Sequence, residues 1–203
     1  MKKIFLCRHG QSEYNAKKII QGHIDTDLTP QGIVQARLIG ERLKTENIEK
    51  IFSSDLKRAY KTATIIGDIL GLDVEIDKRI REMHFGNWEG KAYEQIYTYN
   101  LDHWQKWLKN PVACPLPSQE DIKEFEKRIK SFWEYVNSLQ EKNILIVGHG
   151  GSIQGIICTA SGLGMEHLWG MMHTNTGLSL LEVKNQKTYI KYINEDFHLA
   201  NYT

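Results

Sequence analysis

The run Asn143-Ile144-Leu145-Ile146-Val147 carries no polar side chain after its first residue. A strand with neither face polar must be covered on both sides, as central strands of parallel sheets are. Shorter apolar runs recur at Lys2–Cys7, Lys50–Ser53 and Val74–Ile76. Segments with helical periodicity lie between them. Thr29 suits an N-cap with Pro30 at the first helical position, and Val34, Leu38 and Leu43 are expected to share a face. Further helices are expected over Asp55–Leu70, closed by Gly71, over Asp121–Leu139, and over Ser152–Ser161. Residues 178–183 and 187–193 read as an edge hairpin around Lys184-Asn185-Gln186-Lys187. This alternation predicts an α/β fold with a mostly parallel sheet covered on both faces.

Residues 83–120 break the rhythm. They hold Trp88, Tyr93, Tyr97, Tyr99, Trp104 and Trp107, followed by Pro111, Pro115 and Pro117. We read them as a helical insertion over one edge of a single domain spanning 1–203, either a lid over the pocket or an ordinarily packed helical subdomain. The length of 203 residues suits one domain with a sizeable core.

Composition narrows the function. A formal net charge of +1 argues against a large nucleic-acid surface. The apolar run after Lys2-Lys3 is too short for a signal peptide, and no stretch approaches a membrane span, so no membrane partner and a cytoplasmic location are expected. Cys7, Cys114 and Cys158 are odd in number and far apart, which disfavours a disulfide framework or structural zinc.

In parallel sheets, ligands bind beyond the carboxyl ends of the strands. His9, Ser53-Ser54 and His149 each follow an apolar strand at that end and are expected to converge on one pocket. Arg8 beside His9 is the pairing that phosphoryl transfer to imidazole needs: a fixed positive fork for phosphate oxygens and a ring nitrogen to attack phosphorus. Arg58 is expected near the first turn of its helix, where backbone N–H groups are also free. In Gly148-His149-Gly150-Gly151 the glycines allow close backbone approach. His149 and the Gly150 N–H could then hold a phosphate oxygen in the transition state. Glu82 could protonate the departing alkoxide and later deprotonate water. Its plainer alternative is a surface pair with Arg81.

Competing schemes fit less well. The glycines around His149 lack the third position of a dinucleotide fingerprint, which holds Ile153. A thiol phosphatase loop would need Arg where Glu13 stands, and no His-Glu-x-x-His occurs, so no metal is expected.

Five ordered segments together resemble the histidine phosphatase superfamily, the phosphoglycerate-mutase-like group. They are Arg8-His9-Gly10 through Asn15; Gln21-Gly22 with Asp27-Leu28-Thr29; Ser53-Ser54-Asp55-Leu56 with Arg58-Ala59 and Thr62-Ala63; Arg81-Glu82 with Phe85-Gly86 and Trp88-Glu89-Gly90; and Gly148 to Gly151. The resemblance implies a three-layer α/β/α sandwich with one antiparallel edge strand and no cofactor. It implies phosphorylation at His9, a phosphate pocket of Arg8, Arg58, His149 and Asn15, and Glu82 as proton donor and acceptor. Gln21 and Gly22 match the loop that meets substrate.

The expected activity is metal-independent hydrolysis of a small phosphorylated metabolite. Trp88-Glu89-Gly90 resembles the small bacterial phosphatases, which include broad-specificity, α-ribazole and phosphoserine types. The alternatives are a mutase of the same family and a non-catalytic phospholigand-binding protein. Pro117-Ser118-Gln119-Glu120 stands where many relatives carry Gly-Gly-Glu-Ser, and Gln11 where glutamate is common; both are expected near the substrate entrance. The edge hairpin is a candidate surface for a homodimer.

Overall fold

The computed structural model describes residues 1–200. Six strands form one sheet in the order β3-β2-β4-β1-β5-β6: β1 Lys2–Arg8, β2 Lys50–Ser53, β3 Val74–Ile76, β4 Asn143–Gly148, β5 Leu178–Lys184 and β6 Lys187–Glu195. The pairs β1·β4, β2·β4 and β2·β3 are parallel, while β5 runs antiparallel to both of its neighbours. The antiparallel strand is thus one place in from the rim, and the expected hairpin turns β6 back to form the outermost strand. Asn185 and Gln186 make that turn with φ of 50° and 60°. The unbroken apolar run of β4 is explained by its place. It lies between β1 and β2, and Ile144 to Val147 are fully buried.

Helices cover both faces. They are α1 Glu13–Ala16, α2 Pro30–Leu43, α3 Lys57–Leu70, α4 Tyr93–Tyr99, α5 Leu101–Lys109, α6 Ile122–Ser138 and α7 Gly150–Ser161. One core layer joins Ile4, Leu6, Ile144 and Ile146 to Phe125, Phe132 and Ile153. The opposite layer joins Phe5, Cys7, Leu145 and Val147 to Ile39, Leu43 and Ile66. Alternate residues of the same strands feed the two layers, as pleating requires. None of these helices is long and apolar enough to cross a membrane.

Two local expectations need correction. The buried face of α2 is Gly32, Gln35, Ala36, Ile39, Gly40 and Leu43, and Val34 and Leu38 are only half-buried. Small residues set this face, because α2 lies so close to α3 that a side chain at Gly40 would meet Ile69 at 2.7 Å. The helix expected from Asp55 begins at Lys57 instead. Asp55 is engaged by Arg81, whose Nε donates to it at 2.6 Å. The N-terminus of α3 is capped from a distance, by the Lys57 N–H donating to Asp25 at 2.7 Å.

Between α3 and α6 lies the aromatic segment. Helices α4 and α5 carry a separate apolar cluster of Ile20, Trp88, Ile96, Trp107 and Leu116, with Phe85, Tyr93, Trp104 and Trp169 packed against it. Part of this cluster shares one cleft with the residues that end β1 and follow β4.

Candidate active site

Strand pairing brings the two expected histidines together. Arg8 at the end of β1 is level with Gly148 at the end of β4, and the His9 N–H donates to the Gly148 carbonyl at 3.0 Å. The next residue on each strand is therefore a histidine over the same sheet edge. Their rings meet edge to face with centroids 5.2 Å apart, and both are buried.

Hydrogen bonding fixes the His9 tautomer. Nδ1 lies 2.7 Å from the Gly10 carbonyl oxygen, which can only accept, so Nδ1 carries the proton. The lone pair then resides on Nε2. Burial first, and then the charges of Arg58 and Arg8, hold the His9 pKa well below the usual histidine value. A neutral imidazole at neutral pH has a nitrogen free to attack. His149 is likewise held neutral by burial and by Arg58, and neither of its ring nitrogens has a protein partner.

The two arginines reach the site by different routes. Arg8 leaves the end of β1 and donates through one terminal nitrogen to the His173 carbonyl. Arg58, in the first turn of α3, is 1% exposed and donates to the carbonyls of Gly22 at 2.7 Å and Ile24 at 3.0 Å. Burial lowers its pKa to about 10, so it still carries its charge at neutral pH. Each guanidinium keeps a buried Nε without a partner. Such donors are costly to leave unpaired unless an acceptor arrives.

Glu82 is buried and does not pair with Arg81. Its Oε1 accepts from the Met83 N–H at 2.9 Å, and its Oε2 accepts from the Gly151 N–H at 3.1 Å in the first turn of α7. The carboxyl is thereby held against the loop that carries His149.

Arg8, His9, Asn15, Gln21, Gly22, Arg58, Glu82 and Gly150 all line one cleft of about 780 Å³, part of which is open solvent. His149 lies behind its wall, with its ring against His9. Asn15 holds its side-chain oxygen toward Ser12 and Asn175, and Gln21 accepts from Ser12 and Thr26. The positive φ of Gly22, 54°, turns the carbonyl that Arg58 uses, and a side chain there would overlap Glu89. Gln11 and the Pro117–Glu120 segment, expected near the entrance, do not line the cleft. The Gln11 side chain is bonded to Thr29, Gln119 accepts from the Trp107 indole, and Glu120 pairs with Arg128.

Several contacts escape a reading of the sequence. Arg128 of α6 donates to three backbone carbonyls, those of Arg79, Arg81 and Glu82, while its fork also holds Glu120. It clamps the segment from which Glu82 projects. Thr62 accepts from the Gly10 N–H at 3.0 Å and donates to the Arg58 carbonyl at 2.7 Å, so one hydroxyl ties the loop after β1 to the first turn of α3. Asn175 donates to the His9 carbonyl at 3.0 Å. Its signal in the sequence is the polar run His173-Thr174-Asn175-Thr176-Gly177 directly before β5. The Cys7 thiol is buried in the core layer and pushed up to about 12, which removes it as a nucleophile.

Comparison with known proteins identifies the family. The model of the histidine phosphatase superfamily, branch 1, matches residues 4–196. A Hydrogenobacter thermophilus protein provisionally named phosphoserine phosphatase 2 is 44% identical over 203 residues, all of both chains. A Serratia proteamaculans protein provisionally named phosphoglycerate mutase is 35% identical over 165 residues, 80% of this chain and 76% of the other. The structure of a mycobacterial glucosyl-3-phosphoglycerate phosphatase superposes with a TM-score of 0.89 at 28% identity, covering 97% of this chain and 100% of the other. The chain belongs to branch 1 of the histidine phosphatase superfamily and is a phosphatase.

Proposed function

We propose that the protein is a metal-independent phosphomonoesterase that hydrolyses a small phosphorylated metabolite through a phosphohistidine at His9. The observation that carries this reading is a neutral His9 of fixed tautomer, with Nε2 unprotonated, in a cleft flanked by two arginines.

In the first step the Nε2–P bond forms and the ester P–O bond breaks. The proton of the Glu82 carboxyl passes to the leaving oxygen. Arg8, Arg58, His149 and the Gly150 N–H hold the phosphoryl oxygens as charge builds. The Gly10 carbonyl, accepting from Nδ1, offsets the positive charge that the phosphorylated ring acquires. In the second step Glu82 takes a proton from water, the resulting hydroxide attacks phosphorus, and the N–P bond breaks. His9 returns neutral and Glu82 regains its proton. The aromatic helices cover the cleft as a lid on a single catalytic unit.

The test is turnover of a phosphomonoester panel in the presence of a chelator. Release of inorganic phosphate that His9→Ala abolishes supports hydrolysis. Isomerised product with little free phosphate would favour a mutase, a reading that the Serratia relative keeps in play. No turnover and no label on His9 would leave a phospholigand-binding protein.

A further inference from the structure

The cleft has two chemically different sets of lining residues. The charged set is Arg8, Arg58 and Glu82. No other Lys, Arg, Asp or Glu lines it among the described residues. The rest is walled mainly by Phe85, Tyr93, Trp104, Trp107, Leu116 and Trp169, and Trp169 reaches Gly151 beside Glu82. These rings form a continuous surface: Trp107 lies 4.6 Å from Trp169, 5.1 Å from Trp104 and 5.7 Å from Phe85, between centroids.

Most of the polar side chains along this stretch are already engaged, and those with a group left over, the Tyr93 hydroxyl and the Gln21 amide N–H, are neutral. Gln154 donates to the Gly150 carbonyl and accepts from the Met171 N–H. His173 donates to the Met171 carbonyl and accepts from the Ser179 hydroxyl, and burial takes its pKa down to about 4, so it brings no charge. Gln21 has its oxygen committed to Ser12 and Thr26. The one buried polar atom without a partner among the wall residues is the Trp169 indole N–H, a neutral donor.

We propose that the leaving group is an uncharged alcohol with an apolar or aromatic body, and that esters bearing a carboxylate or an ammonium on that group are disfavoured. This rests on the hydrolytic reading above. A dianionic phosphate uses the fixed positive charge of Arg8 and Arg58. A carboxylate on the leaving group would then find no further cation, and an ammonium would find only the Glu82 carboxyl that the reaction itself uses. Burying an unpaired charge is far more costly than leaving a neutral group there. Conversely, a phenyl or alkyl body gains contact with a preformed aromatic wall. The wall thus selects by charge and not by fine shape.

The experiment compares 2-phenylethyl phosphate with O-phosphoserine and 3-phosphoglycerate by kcat/KM. All three release an aliphatic alcohol, so leaving-group chemistry differs little. The expected result is a preference of more than about tenfold for 2-phenylethyl phosphate. Leu108 lines the cleft but is 37% exposed, so Leu108→Lys should fold and should narrow that gap by improving 3-phosphoglycerate. Phosphoserine or 3-phosphoglycerate turned over equally well or better by the native protein, with phosphate on His9, would overturn the substrate class and leave hydrolysis standing. Absence of both turnover and His9 label with every ester would bring down the hydrolytic reading, and the substrate class with it.

Discussion

The imidazole of His149 stands edge-on to that of His9, 5.2 Å away between centroids, and has no hydrogen-bond partner on either nitrogen. A fully buried polar ring without partners is costly to maintain. It is explained if one nitrogen bonds a phosphoryl oxygen during turnover. His149→Asn should therefore lower kcat about 10²- to 10³-fold. Its thermal unfolding midpoint should change little, because no native hydrogen bond of the ring is lost. A variant with undiminished kcat would remove His149 from the reaction.

Arg128 does not itself line the cleft, yet it donates to the carbonyls of Arg81 and Glu82. Arg128→Lys keeps the charge and loses the planar fork that binds several acceptors at once. We expect kcat to fall about tenfold to a hundredfold with KM nearly constant, since small displacements of a catalytic group are costly. The pH profile of kcat should shift as well, because the moved group is the proposed proton donor. Equal losses at every pH with a lowered unfolding midpoint would reduce Arg128 to a structural role.

Gly22 and Gly71 adopt similar left-handed conformations, with φ of 54° and 69°. A side chain at Gly71 would meet nothing within 4 Å, whereas one at Gly22 would run into Glu89. Gly71→Ala should cost about 1 kcal/mol, the conformational penalty alone. Gly22→Ala should cost about 2–4 kcal/mol and also weaken phosphate binding, because the Gly22 carbonyl orients Arg58. Urea denaturation and inhibition by inorganic phosphate measure the two effects.

Three buried histidines set the acid stability. His9, His149 and His173 are all held below their unfolded value of 6.5, His173 to about 4. Below pH 6.5 the unfolded chain binds protons that the folded chain refuses. Stability is thus fully present above that pH and is lost as pH falls. Each histidine contributes a slope on the order of 1.4 kcal/mol per pH unit in that window. His173→Gln keeps a donor and an acceptor but cannot titrate, and should flatten the slope by one such share. A stability that is level between about pH 7 and 5 would contradict this.

Much of the fold is legible because strands and helices announce themselves through periodicity. The run at Asn143–Val147 marks the middle of the sheet, and the residues just past it and past β1 mark the site. The contacts that the sequence hides share one property. Arg128, Thr62 and Asn175 act on backbone groups of segments remote in sequence. Every residue offers a carbonyl and nearly every one an N–H, so no pattern of side chains signals which will be used. The buried face of α2 is hidden for a related reason: glycine and alanine mark a close approach to α3, and hydrophobicity alone assigns them little weight.

Because His9 and His149 emerge from hydrogen-bonded neighbours in the sheet, their separation is inherited from strand spacing. The histidine pair is then held by the central strands themselves. The aromatic wall makes a small core of its own and meets the main one through Phe85 and Trp169. Evolution, or an engineer, can therefore change rings such as Trp104, which belong to the small core alone, and alter what the cleft admits while the two histidines stay where the sheet puts them.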